Sequence, residues 1–264
     1  MLYIGPPKTK EDRDEIIKAH IKNKKLSEEV TIDNISKLMF GMTGAEIAQV
    51  LNESVLISLR DNREGIINIK DIDEASMKLR ASGVVTSHSS EQDRKITAIH
   101  EAGHALVSTL LGRKVSKISI TPYSSGIGGV TIEDINSLDE HSLKTKSELI
   151  NDVRVLLAGK VAEEIVLGQP SIGSSNDIER ASLIAYNMVT ELAMTEENII
   201  NIDFIGKIKN IKVNNDDNLN IANNLLKREK NLVEKLISDN FEELNRLSDE
   251  LLDKETILDY KISN

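Results

Sequence analysis

The chain has 264 residues, and its 43 Asp and Glu outnumber 33 Lys and Arg to give a formal net charge of −10. That balance argues against the clustered basic surface that nucleic-acid phosphates require, so no nucleic-acid partner is expected. With no Cys in the chain, disulfides, thiolate metal sites and Cys nucleophiles are all excluded, and a metal can be held only by His and carboxylates.

Only 3% of residues are aromatic and none is Trp, so the cores must be filled by Leu, Ile, Val and Ala, and a mainly α fold is expected. Four short helices are read from apolar residues recurring at three and four: Glu11 to Ile21, Ser27 to Met39, Thr43 to Arg60 and Lys70 to Ala81. Ile47, Val50, Leu51 and Val55 make one such stripe, Gly41 to Gly44 and Asn62 to Gly65 interrupt the pattern, and Asp71 is placed to cap the last helix. Residues 1–83 are thus expected to form a small helical domain, and the polar, Ser-rich segment 84–95 a linker.

The second domain, 96–264, opens with a helix from Ile96 to Gly112, followed by a half-buried strand from Val115 to Thr121 and a paired strand from Gly129 to Glu133. A strongly periodic helix from Glu148 to Leu167 stops at Gly168 and Pro170, and Ser171 to Ser175 reads as a loop. Asn176, with Glu179 three positions on, is expected to cap the next helix. Residues 196–220 give no clear pattern, and Leu219 to Ser238 with Phe241 to Asp253 read as a helical hairpin. No apolar run approaches the roughly 20 residues of a membrane span, so the chain as given is expected to be soluble. No G-x-x-x-x-G-K-[ST] phosphate loop is present.

The chemistry lies in His100-Glu101-Ala102-Gly103-His104. Residues four apart on a helix are separated by about 400° of rotation, so the two imidazoles project from one face and can grip one ion. Glu101 lies one position round, where it can act on a water at that ion without ligating it. Zinc with three protein ligands keeps an open position and acts as a Lewis acid, while Glu101 would serve as general base and then protonate the leaving amine. Gly103 removes a side chain and invites close approach of a neighbouring element. The flanking Ile96, Ile99, Ala105, Leu106 and Leu110 mark a buried helix, in which two uncompensated histidines would be costly.

A third ligand must come from elsewhere. The metzincin extension is excluded, because Val107 and Leu110 stand where its Gly and third His would be. Glu163 and Glu164 on the long periodic helix are candidates for a His-His-Glu site, and Asp177 in the first turn of the following helix competes equally on spacing. The bland alternatives are a solvated or salt-bridged Glu pair and a first-turn Asp favoured by the helix dipole.

HEAGHALVS, LAGKVAEEIVLG and SSNDIERASLIAYNMV together resemble the peptidase domain of FtsH-type ATP-dependent zinc metalloproteases. GMTGAEIAQVLNESVLIS and NIKDIDEA resemble the helical AAA+ lid of the same family. The resemblance implies a four-helix lid followed by a mostly helical zinc metallopeptidase domain with a small β-sheet. It implies one zinc per subunit on His100, His104 and Asp177, Glu101 as the catalytic residue, and Glu164 or Glu163 orienting a ligand. Gly129, Val130 and Thr131 would offer a strand edge to extended polypeptide substrates. Gly44 and Ala45 would lie near the adenine in an intact protein that binds ATP and Mg, assembles as a homo-hexamer, is anchored in a membrane with its catalytic part cytoplasmic, and serves protein quality control.

The chain departs from this pattern in lacking the nucleotide-binding core, so Met1 is expected to open a fragment, and in the Asn- and Ile-rich stretch after Met194. The competing reading is a non-catalytic, metal-stabilised scaffold with a fourth protein ligand, for which His88 and His141 are the spare candidates. A chain acting only as a hexamer-forming element is compatible with the enzymatic reading.

Overall fold

The computed structural model describes residues 6–7, 9–81, 90–121, 129–133, 143–196, 199–209 and 215–262, which divide into two compact units. The N-terminal unit has four helices: α1 Lys10–Ile21, α2 Ile32–Leu38, α3 Gly44–Arg60 and α4 Ile69–Ala81. A two-residue parallel pair, β1 Lys25–Leu26 with β2 Ile66–Ile67, joins the segments after α1 and α3. The second helix is shorter than its apolar pattern predicts. The Ser27 amide bonds the Ile67 carbonyl at 2.9 Å, which prolongs the strand pairing, and the Thr31 hydroxyl caps α2 by accepting from the Asn34 amide.

The stripe Ile47, Val50 and Leu51 faces inward from α3 onto Ile17, Ile35, Met39 and Ile72, all essentially inaccessible. Burying each such side chain is worth about 1.5–3 kcal/mol. Asp71 is not the cap of α4. Asn68 fills that position, accepting from the Asp71 amide at 2.9 Å, while Asp71 Oδ2 accepts from the Asn68 amide at 2.8 Å. The Asp71 carboxylate also takes both Arg63 guanidinium nitrogens at 2.6 Å, which ties the turn after α3 to the start of α4.

The C-terminal unit contains α5 Glu91–Leu110, β3 Val115–Ser119, Val130 and Thr131 of β4 Val130–Glu133, α6 Lys146–Leu167, a 3-10 turn Ile172–Ser174, α7 Ser175–Thr190, α8 Ile202–Lys209, α9 Asn215–Asp239, α10 Phe241–Lys254 and β5 Thr256–Tyr260. Helix α5 begins five residues before the expected Ile96, because Ser90 and Asp93 form a capping box within the polar stretch read as linker. Helix α7 is entered at Ser174 without a side-chain cap, so Asn176 lies inside the helix instead of capping it.

The sheet order is β4-β3-β5, with β3 and β5 antiparallel and Val115 opposite Tyr260. The expected half-buried strand is instead buried from Val115 to Ser119, and β5, which the sequence pattern does not reveal, pairs with its second edge. The stretch 196–220 contributes α8 and the start of α9, where the sequence shows no pattern. Among the described residues no helix is long and apolar enough to cross a membrane.

Helices α5 and α6 form the centre of this unit. Their approach is set by small residues: a Cβ on Gly103 would stand 2.6 Å from Ala162 Cβ and 2.7 Å from the Ala158 carbonyl oxygen. Ala98, Ala102 and Ala105 of α5 and Val161 and Ala162 of α6 belong to one buried cluster with Val233, Leu244, Leu247 and Leu251 of α9 and α10.

Candidate active site

The small-residue seam between α5 and α6 brings the motif's polar face against the next helix. His100, Glu101 and His104 are 9%, 6% and 8% exposed, so this polar patch lies inside the unit and each group needs a partner there. The two imidazoles meet edge to face with centroids 4.6 Å apart, and their Nε2 atoms lie 2.9 Å from each other. Asp177, from the first turn of α7, brings Oδ2 to 3.1 Å from His100 Nε2 and 3.2 Å from His104 Nε2. Three potential ligand atoms thus converge on one point.

The far side of each ring fixes its tautomer. His100 Nδ1 donates to Glu163 Oε1 at 2.6 Å, and His104 Nδ1 donates to the Val155 carbonyl oxygen at 2.8 Å. A carboxylate and a carbonyl can only accept, so Nδ1 carries a proton in both rings, and Nε2 is the nitrogen left to face Asp177. Glu163 is fully buried, and its other oxygen accepts from the Ser171 amide, so the loop before the 3-10 turn fixes the acid that fixes His100. Ligand atoms around a tetrahedral ion with bonds of about 2.0–2.1 Å stand roughly 3.3 Å apart, close to the spacing found here. Two imidazole nitrogens and a carboxylate oxygen are a donor set suited to zinc.

The electrostatics point the same way. Burial is the strongest single influence on His100 and pushes its pKa down, but the bonds to Asp177 and Glu163 outweigh it and hold the imidazole up at about 10. Burial likewise pushes Asp177 up, yet the two histidines together hold its carboxyl below the ordinary range. Glu163 is also held low against its own burial, by His100 and Ser171. Two carboxylates, one fully buried and one partly so, around two imidazoles make a site that favours positive charge.

Glu101 stands beside this cluster but outside it, its Oε2 accepting from the Thr131 hydroxyl of β4 at 2.7 Å. Gly129, just before β4, lies against the same carboxylate, and Val130 begins the strand, which is the outer one of the three-stranded order.

Of the two competing glutamates, neither reaches the Nε2 atoms. Glu163 backs His100, whereas Glu164 turns to α9 and pairs with Lys230 at 2.8 Å, the ordinary salt-bridged alternative. Gly44 and Ala45 form the first turn of α3 in the N-terminal unit, behind the Thr43–Glu46 capping box. His88 and His141 lie outside the described residues.

One residue escaped the sequence reading. A Cβ on Gly159, in the middle of α6, would stand 2.5–2.6 Å from His100 ring atoms, so only glycine lets that ring lie flat against the helix. A glycine inside a helix costs about 1 kcal/mol relative to Ala, and that local penalty was the available signal.

Residues 87–264 match peptidase family M41, and residues 29–74 match the AAA+ lid domain. Among curated relatives, the ATP-dependent zinc metalloprotease FtsH of Ruminiclostridium cellulolyticum is 34% identical over 271 residues, covering 97% of this chain and 43% of the relative. The protein of the same name from Mesomycoplasma conjunctivae is 40% identical over 205 residues, covering 74% and 26%, and that of Thermotoga maritima is 39% identical over 188 residues, covering 70% and 30%. The chain therefore spans less than half the length of these relatives.

Proposed function

The chain belongs to peptidase family M41, and from that premise we propose that it is a zinc-dependent endopeptidase of the FtsH type. His100, His104 and Asp177 would hold the ion, through the two Nε2 atoms and a carboxylate oxygen. Zinc, when bound, supplies Lewis acidity toward the scissile carbonyl and the attacking water.

The chain's own residues do the remaining work. Glu101 takes a proton from the attacking water and delivers it to the leaving amine, a role its burial beside the cluster supports. Glu163 and the Val155 carbonyl keep both imidazoles in the tautomer that presents Nε2, the support that metal-binding histidines commonly receive. β4, through Gly129, Val130 and Thr131, gives an extended polypeptide main-chain partners with little regard for its side chains. The observation that carries this reading is the convergence of two Nε2 atoms and Asp177 Oδ2 within 3.2 Å of one another, with Glu101 alongside.

For the intact protein, residues 1–83 would be the lid of an AAA+ module, residues 84–95 its connection to the peptidase and 96–264 the peptidase domain. The match of residues 29–74 to the AAA+ lid supports the first assignment. Gly44 and Ala45 would then lie near bound ATP and its Mg. A homo-hexameric ATPase ring, anchored in a membrane with its catalytic part cytoplasmic, would feed unfolded polypeptides to the zinc site.

Substituting Glu101→Gln removes the base and leaves the proposed ligands intact. Cleavage of an internally quenched peptide is expected to fall by at least about 100-fold while zinc content stays at one per chain. Cleavage at the wild-type rate would contradict the assignment of the base.

A further inference from the structure

The carboxylate of Glu101 is held from a strand and not from its own helix. Thr131 donates its hydroxyl to Glu101 Oε2 at 2.7 Å, with the Glu101 carbonyl oxygen as a longer second acceptor at 3.3 Å. Two residues earlier the backbone passes so close that a Cβ on Gly129 would stand 2.7 Å from both Glu101 Cγ and Thr97 Cγ2, and 2.8 Å from Glu101 Oε1. The side chain is therefore confined between Thr97 on α5 and the start of β4.

A glutamate has three rotatable side-chain bonds, and a misplacement of the reacting atom by about 1 Å can cost on the order of 100-fold in rate. A hydroxyl carries one hydrogen, so Thr131 engages one carboxylate oxygen and leaves the two oxygens inequivalent. Oε2 is committed to the strand, and Oε1, beside the side-chain-free Gly129, is left to exchange protons with water and the leaving amine.

We propose that Thr131 is a positioning residue for Glu101, a role that rests on the reading of Glu101 as general base. Because Thr131 belongs to the strand offered to the peptide, one short segment, Gly129 to Thr131, both seats the substrate and aims the base. Substrate register and proton transfer are then set by the same piece of backbone.

The test uses the zinc-loaded full chain and an internally quenched peptide. Thr131→Val removes the donor but keeps the branched shape, and Thr131→Ser keeps the donor. The valine variant is expected to lose about tenfold in kcat with KM changed by less than about twofold, and the serine variant to stay within about threefold of wild type. Zinc content and melting temperature are expected to match wild type in both. In a Glu101→Gln background, adding Thr131→Val is expected to change the residual rate by less than about twofold, since no base remains to be aimed. The proposal is overturned by a wild-type kcat in Thr131→Val, by a serine variant as slow as the valine variant, by loss of zinc from Thr131→Val, or by a full tenfold loss persisting in the Glu101→Gln background. Wild-type cleavage by Glu101→Gln alone would instead remove the general base, and with it the premise of this role.

Discussion

Asp71 and Asp177 occupy similar places in the two units: each lies in the first turn of a helix and each is largely shielded from water. Asp71 meets a permanent cation, since both of its oxygens take Arg63 nitrogens at 2.6 Å and it also closes the capping box with Asn68. Its charge is answered by the chain. Asp177 meets the Nε2 atoms of two imidazoles whose other nitrogens are already engaged. A buried carboxylate matched by an arginine is a structural tie. A partly shielded carboxylate that converges with two Nε2 atoms marks a place that favours positive charge.

Substitutions that remove the charge separate the two aspartates. Asp177→Asn is expected to lower zinc affinity by more than about 100-fold and to abolish peptide cleavage, measured by zinc titration and fluorogenic assay. Asp71→Asn is expected to do the reverse: a loss of roughly 1–3 kcal/mol in chemical denaturation of the N-terminal unit, with zinc content unchanged. If Asp71→Asn released zinc, or Asp177→Asn only destabilised, the contrast would fail.

A smaller effect distinguishes the adjacent glutamates of α6. Glu163→Gln leaves the Nδ1 proton of His100 with a weaker acceptor, and zinc affinity is expected to fall by about 10–100-fold. Glu164→Gln loosens a partly exposed pair with Lys230, and a change under about 1 kcal/mol in stability with wild-type zinc affinity is expected. Equal effects of the two substitutions in a zinc titration would mean that Glu163 does not act through His100.

The sequence made the two-histidine face of α5 legible because a spacing of four is itself a statement about helix geometry. The long periodic helices α3 and α6 were legible for the same reason, and their observed limits fall within two residues of the expected ones. Glu163 and Glu164 could not be told apart, since neighbours on a helix differ by about 100° of azimuth and only the docking of α6 on α5 decides which one turns inward. Spacing also left Asp177 level with that pair, and the family resemblance favoured it. The geometry brings Asp177 Oδ2, and neither glutamate, beside both Nε2 atoms.

What stayed hidden depends on partners distant in the chain. β5 is five residues, Thr256–Tyr260, following α10 with a single left-handed residue, Glu255, and no Gly or Pro to announce the turn. Its identity as a strand comes from β3, more than a hundred residues earlier. The missed cap of α7 has a related cause: Asn176 has the right chemistry, but the preceding 3-10 turn starts the helix at Ser175 before that side chain can serve.

The central claim, that two imidazoles and one aspartate hold the catalytic ion, is tested most directly by a crystal structure of the zinc-loaded chain. The account predicts one ion bonded to His100 Nε2, His104 Nε2 and a carboxylate oxygen of Asp177, with Glu163 still behind His100 and Glu101 outside the coordination sphere. An ion bonded to Glu163 or Glu164 in place of Asp177, or one closed off by a fourth protein side chain, would contradict it.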